Sequence, residues 1–293
     1  MSAFPNIAAY RFTSLGELPA LQRELRELCA DAGMRGTILL SPEGINLSVA
    51  AECAACDRLL VRLRALPGLS DLVARRSESA QQPFNRMLVK IKKEIIACGI
   101  DGIDPARGPA ARLAPRQLKQ WLDQGRAFTL LDTRNSYEVK LGTFHRARTL
   151  ALDHFREFAA AITALPANLK EEPIVTFCTG GIRCEKAALV LEAAGFDNVL
   201  QLDGGILNYF QECGGAHYEG DCFVFDKRVA LDPSLCETGA AVCFVCQAPL
   251  TIPEQEDPRY VESVSCPHCH PSVVTRGGSG PGDLSSMHEL SRS

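Results

Sequence analysis

One uninterrupted passage constrains the fold more than any other. The apolar, β-prone run Ile174-Val175-Thr176-Phe177 ends on Cys178, a short loop with two glycines follows, and an alanine-rich stretch then continues to Gly195. A strand that delivers a cysteine and passes within a few residues into a helix belongs to a parallel α/β sheet, and it sets that cysteine at a helix N-terminus. Between Cys178 and Arg183 lie Thr179, Gly180, Gly181 and Ile182. The two glycines allow successive backbone N–H groups to turn toward one point, and the helix dipole and Arg183 add positive potential there. Cys178 is therefore the candidate nucleophile, and residues 179–183 form a loop suited to a thiolate, a persulfide or a small oxyanion. The bland alternative is a buried cysteine packed as a small hydrophobe. Two glycines and an arginine at this spacing favour chemistry.

A chain of 293 residues is long enough for about two domains, and 46% hydrophobic with 23% charged residues is an ordinary globular composition. No uncharged apolar run reaches the roughly 18 residues of a membrane helix. The start, MSAFPNIAAYRF, lacks the basic-then-apolar order of a signal peptide. Thirteen cysteines is an odd number, and several have metal-binding or catalytic spacing, so a reducing compartment, the cytoplasm, is expected. The net charge of −4 leaves any RNA contact to a local basic patch.

The first 98 residues predict strands at 7–13, 36–40 and 45–50, helices at 16–32 and 52–65, and further strands at 72–76 and 86–96. This β-α-β-β-α-β order predicts a ferredoxin-like α+β sandwich with helices on one face of an antiparallel sheet. The last strand alternates apolar and basic residues, so Lys90 and Lys92, with Arg86 before them, form either a solvated edge face or a strip for RNA phosphates. Cys29, Cys53, Cys56 and Cys98 fall on expected core faces and carry no assigned chemistry.

A Gly/Pro/Ala-rich linker and the first helix of the next domain span 99–122, and residues 123–217 alternate strands with helices, predicting a parallel sheet covered on both faces. Helices are expected at 115–124, 157–165 and 185–195, and strands at 128–132, 174–177 and 199–202. The strands ending at Asp132 and Cys178 bring polar residues to the carboxyl edge, where such sheets bind ligands. There Asp132 can accept hydrogen bonds from the loop and Arg134 can bind an anion, or each can cap a helix or form an ion pair. Cys184, on the first turn of the following helix, can resolve an oxidised Cys178 or simply pack.

Three stretches, DTRNSYEVKLGTF from Asp132, CTGGIRCEKAALVLEAAGF from Cys178 and LDGGILNYF from Leu202, resemble a rhodanese domain. Together with GTILLSPEGINLSVA from Gly36, they resemble the bacterial family of oxygen-dependent tRNA uridine hydroxylases. Where that family commonly has GINGT, this chain has Gly44-Ile45-Asn46-Leu47-Ser48. The resemblance implies a central rhodanese-like parallel α/β domain, and hydroxylation of the wobble uridine in the tRNA anticodon loop at C5 to 5-hydroxyuridine. It also implies molecular oxygen as co-substrate and Cys178 as the active-site, persulfide-forming cysteine. The sequence has no flavin or nicotinamide fingerprint and leaves the electron donor open. Two other readings use the same modules: a sulfurtransferase carrying sulfur on Cys178, and a non-catalytic RNA-binding protein.

Residues 218–270 form a Cys-rich segment. Cys243-Phe244-Val245-Cys246 and Cys266-Pro267-His268-Cys269 are two C-x-x-C knuckles with 19 residues between them. Two such knuckles predict a structural zinc site of four thiolates, with Cys222 and Cys236 as further candidate ligands. The Gly/Ser-rich residues 271–293 predict a disordered tail.

Overall fold

The computed structural model describes residues 4–106, 108 and 110–271, which form two compact units, the second beginning at Ala110. All but the first residue of the expected tail lies outside the described residues. No helix among them is long and apolar enough to cross a membrane.

The first unit comprises β1 (Phe4–Phe12), α1 (Leu18–Asp31), β2 (Arg35–Ser41), β3 (Gly44–Ala50), α2 (Cys53–Arg64), β4 (Ala74–Ser79) and β5 (Met87–Ile91). The sheet order is β4-β1-β3-β2-β5. Neighbouring strands run antiparallel except β5, which is parallel to β2. Registers such as Ile7↔Val49 and Ile38↔Leu47 align the alternating apolar residues on one face. The two helices cover that face because α1 buries Leu21, Leu25 and Cys29 at four-residue spacing and α2 buries Ala55, Cys56, Leu59, Leu60 and Leu63. The result is the expected ferredoxin-like sandwich with a fifth, parallel strand added.

β5 stops at Ile91, short of the expected residue 96. Lys92 makes the last ladder bond, to the Leu40 carbonyl, and β2 then turns away at Ser41. Beyond it, the Lys93 carbonyl accepts from the Ser41 hydroxyl and the Ile95 N–H donates to the Glu43 carboxylate at 2.7 Å. Arg86 and Lys92 are exposed and Lys90 is half-buried. Cys29, Cys56 and Cys98 are buried as expected, whereas Cys53, the first residue of α2, is exposed.

The second unit holds a five-stranded, all-parallel sheet in the order β6-β11-β10-β7-β9. Its elements are β6 (Ala111–Leu113), α3 (Pro115–Asp123), β7 (Thr129–Asp132), α4 (Ser136–Val139), β8 (Gly142–Phe144), β9 (Arg148–Thr149), α5 (Phe158–Ile162), β10 (Ile174–Phe177), α6 (Ile182–Ala193), β11 (Val199–Leu202) and α7 (Gly205–Cys213). The central strand β10 is buried at all four positions, which is why its sequence shows no polar alternation. Helix α5 is one turn preceded by a 3-10 turn at Phe155–Glu157, shorter than the expected 157–165. Helix α6 starts three residues earlier than expected, so Arg183 and Cys184 lie in its first turn.

The chain continues through β12 (Tyr218–Gly220), β13 (Cys222–Phe223), β14 (Ala230–Leu231), β15 (Ala241–Val242), β16 (Pro249–Leu250) and α8 (Ile252–Gln255). β12 pairs with β8, and β13 pairs with β14 as a small hairpin. The Cys-rich segment is thus joined to the α/β unit through main-chain pairing.

Helix α7 fixes the loop after β10. Its first free N–H groups are spent on that loop: Ile206 donates to the Cys178 carbonyl at 2.9 Å and Leu207 to the Thr179 carbonyl at 3.1 Å. Gly205 permits this approach, because a Cβ there would sit 2.8 Å from the Thr179 carbonyl oxygen and 2.9 Å from the Gly181 nitrogen, and closer still to the Cys178 carbonyl. Its φ is +67° as well. Gly205→Ala is therefore expected to lower stability by about 1–3 kcal/mol for overpacking, with left-handed strain on an alanine added. Gly180→Ala, where an added Cβ meets nothing within 4 Å, should be near neutral. Urea unfolding of both variants checks this, and equal midpoints would refute the assignment.

Candidate active site

Cys178 follows directly on β10, is 1% exposed, and accepts a hydrogen bond from the Gly181 N–H at 3.1 Å. Of the two loop glycines, only Gly181 uses its conformational freedom, with φ +99° at the start of α6. Gly180 is not in the left-handed region. Burial pushes the Cys178 thiol up, but hydrogen bonding from the Cys184 thiol, the charge of Arg183 and the backbone N–H groups of Arg183 and Gly181 outweigh it and bring the thiol down to about 6. Cys184 is driven the other way by burial and by the Cys178 sulfur beside it, well above the ordinary thiol range. The geometry therefore gives the pair unequal roles: Cys178 is the thiolate, and Cys184, fully buried, keeps its proton and donates it.

Arg183 does not present an open fork to a ligand. Its guanidinium is held bidentately by Glu138, at 2.5 and 2.7 Å, with side-chain exposures of 5% and 0%. Burial alone would lower the Arg183 pKa, but Glu138 raises it far above its usual value. The positive charge therefore stays permanently beside Cys178. Glu138 was not singled out in the sequence, although a signal exists: Asn135-x-x-Glu138 is a capping box, and the Glu138 carboxylate accepts the Asn135 N–H at 3.0 Å. The same carboxylate accepts the Thr179 hydroxyl at 3.5 Å, which also lies 3.3 Å from the Phe223 carbonyl. Ile182, half-buried, opens the helix.

Asp132 and Arg134 form a separate clasp. Both are fully buried. The Arg134 guanidinium donates to both Asp132 oxygens, with its shortest contact at 2.6 Å, and to the Gly142 carbonyl at 2.7 Å. Thr143 donates to Asp132 at 2.8 Å. Asp132 thus accepts bonds from Arg134 and Thr143 in place of the cysteine loop, and Arg134 forms the expected ion pair through its Nε and Nη2. Thr133 between them bridges the strands, donating its hydroxyl to the Phe177 carbonyl at 3.0 Å and lying 3.8 Å from the Cys184 sulfur.

The second C-x-x-C pair meets the first. The sulfurs of Cys243, Cys246, Cys266 and Cys269 all lie within 4.8 Å of one another and could hold a metal ion. Three of their separations are 3.5, 3.7 and 3.9 Å. A tetrahedral ion with metal–sulfur bonds of about 2.3 Å requires edges of roughly 3.8 Å, so the donor set fits. Cys222 and Cys236 are not part of this group: Cys222 is buried in β13 with its thiol pushed up to about 12 by burial, and Cys236 is exposed. His268 is engaged by Glu254 at 2.8 Å.

Alkylation of Cys178 by a small haloacetamide should rise through a midpoint near pH 6, well below the roughly 8.5 of an unperturbed thiol in a model peptide. Peptide mapping by mass spectrometry across a pH series resolves the sites. A Cys178 midpoint at or above the roughly 8.5 of an unperturbed thiol would overturn the electrostatic account.

Comparison with known proteins places these features in families. Residues 4–95 match the UPF0176 acylphosphatase-like domain, and residues 114–212 match the rhodanese-like domain. The curated tRNA uridine(34) hydroxylase of Cupriavidus necator is 49% identical over 269 residues, covering 90% of this chain and 95% of that protein. Its namesake from Burkholderia mallei is 48% identical over 275 residues, covering 91% and 92%. Among solved structures, the rhodanese-like domain of an Anabaena protein is 25% identical with a TM-score of 0.32, covering 37% of this chain and 78% of that one. With identity near one half extending along nine-tenths of its length, the chain belongs to the tRNA uridine(34) hydroxylase family.

Proposed function

We propose that this protein hydroxylates the wobble uridine of tRNA at C5, giving 5-hydroxyuridine, and that Cys178 is its nucleophile. The observation that carries the reading is a sulfur that is buried yet pulled down to about 6, in a chain 49% identical to proteins named for that reaction. An ordinary buried cysteine is pushed up, as Cys29 is, to about 11.

C5 of uracil becomes nucleophilic once a thiolate adds to C6, since the electron pair then spreads over C5 and the O4 carbonyl. Molecular oxygen, taken as co-substrate, would capture C5 as a peroxide. Two electrons and two protons from a separate reductant then convert the peroxide to the C5 hydroxyl and water. Loss of the C5 proton with departure of the Cys178 sulfur from C6 restores the ring. The fixed positive charge of Arg183 and the loop amides favour the thiolate at both ends of this cycle. A wobble base is already unpaired, so extruding it costs little. The anticodon loop is the substrate element, Arg86, Lys90 and Lys92 on and beside β5 are proposed contacts to the tRNA backbone, and the cytoplasm is the proposed compartment.

The burial of Cys178, 1% exposed, favours a second reading at the same sulfur. A persulfide would carry a terminal sulfur about 2 Å farther out along the S–S bond, within a loop whose amides suit that anion. As a sulfurtransferase the chain would carry this sulfur to an acceptor. Nucleoside mass spectrometry of tRNA from cells lacking the protein, complemented with the native chain or Cys178→Ala, separates the readings. Restoration of 5-hydroxyuridine derivatives by the native chain alone is expected. Unchanged modification, with redundant pathways removed, refutes hydroxylation and leaves sulfur transfer.

The four-thiolate group is proposed to hold structural zinc, since four protein ligands leave no open position for chemistry. Cys243, Cys246, Cys266 and Cys269 would be its ligands. Elemental analysis of protein purified without chelator should give about one zinc per chain, and Cys266→Ser should reduce it severalfold and lower the melting temperature. Metal-free native protein with the same melting temperature would refute the site.

A further inference from the structure

The hairpin of β13 and β14 is held unusually firmly for strands of two residues. At its turn the Val224 N–H donates to the Val229 carbonyl at 2.8 Å and the Val229 N–H to the Asp226 carbonyl at 3.0 Å. Arg228 clasps Asp226 at 2.8 and 2.6 Å, with side-chain exposures of 8% and 7%. The base of the hairpin is tied to the cysteine loop by the Thr179 hydroxyl on the Phe223 carbonyl. Phe223 itself is buried edge-on against Tyr137, with ring centroids 5.3 Å apart.

From this fixed turn Phe225 points outward and is 44% exposed. A single exposed apolar side chain on a surface needs no explanation, but this ring has a specific position. Its edge is set by Phe223, with centroids 5.1 Å apart and planes at 85°. The guanidinium carbon of Arg183, the arginine that charges the Cys178 loop, lies over it at 5.9 Å. Arg183 is locked by Glu138, so Phe225 is oriented by two partners that do not move independently of the cysteine loop. It is a flat, pre-oriented aromatic surface with an open side, next to the reactive sulfur's own helix turn.

We propose that Phe225 is the stacking platform for the pyrimidine base that reaches Cys178, an inference that rests on the uridine reading above. A base drawn out of its loop loses its neighbours' stacking, and an aromatic side chain at the site returns that stacking. Stacking on a ring tolerates any base, so Phe225 supplies affinity for the extruded state, and selection of uracil falls to groups that touch its edges.

The test uses the full chain and two anticodon stem-loops, one with uridine and one abasic at the wobble position, with binding read by fluorescence anisotropy. The native protein is expected to bind the uridine stem-loop about ten- to a hundredfold more tightly than the abasic one, the range of one base stacked on an aromatic ring. Phe225→Ala should remove most of that difference and Phe225→Tyr should keep it, while the alkylation midpoint of Cys178 stays at its native value in both. Equal discrimination by native protein and Phe225→Ala overturns the proposal, as does a native protein that does not discriminate. Hydroxylation is measured separately by nucleoside mass spectrometry. If the native chain forms no 5-hydroxyuridine while the Phe225-dependent discrimination holds, the platform stands and the hydroxylase reading falls.

Discussion

The site depends on the buried pair between Arg183 and Glu138. Two charges taken out of water at side-chain exposures of 5% and 0% gain little net stability, because desolvation offsets most of their attraction. Losing one partner is another matter, with a cost of about 3–5 kcal/mol for a charge left buried and alone. The pair's value is positional. It binds the first turn of α6 to α4, and through the Thr179 hydroxyl it reaches the residue that follows Cys178 in the loop. It also keeps a cation beside Cys178 that no substrate can draw away. A free arginine could follow an anionic ligand out of the site, whereas this one is fixed.

Around that charge the two cysteines divide one proton. Desolvation acts on both sulfurs in the same sense, so burial alone would leave two neutral thiols. What breaks the symmetry is direction. Cys178 faces the Gly181 and Arg183 amides, whereas Cys184 faces the Thr133 hydroxyl and Cys178 itself. Because α7 spends its leading N–H groups on the Cys178 and Thr179 carbonyls, the loop's carbonyls are turned away and its amides are left for the sulfur. Gly204 and Gly205, both at positive φ, thus aim the loop as α7 opens, and Gly205 is needed for close approach as much as for turning.

Cys178, Gly181 and Arg183 were legible in the sequence because their relation is local, a few residues within a strand-to-helix turn. The alternating strands and helices were legible for the same reason. Glu138 is local only as a capping residue; its role toward Arg183 lies 45 positions away and leaves no periodic trace. Asp132 and Arg134 were recognisable as polar residues at a strand end, but their engagement away from the loop depended on Thr143 and Gly142 of β8, a strand too short to show alternation. The end of β5 was overestimated because apolar residues resume at Ile95 and Ile96, while the pairing with β2 ends at Ile91.

The hairpin that carries Phe225 shows how a segment without regular structure of its own becomes part of a site. Two-residue strands are far below what is stable in isolation. At one end the hairpin is fixed by Thr179 and by Phe223 packed with Tyr137 and Leu141. At the other, Ala240 and Val242 pack on the same cluster, and Val242 immediately precedes Cys243, the first of the four clustered thiols. An ion held by those thiols would hold Val242 against the cluster and so brace the hairpin from behind. The knuckles then need no part in the chemistry to matter for it: they close the far side of a small hydrophobic cluster whose near side is the wall of the cysteine loop.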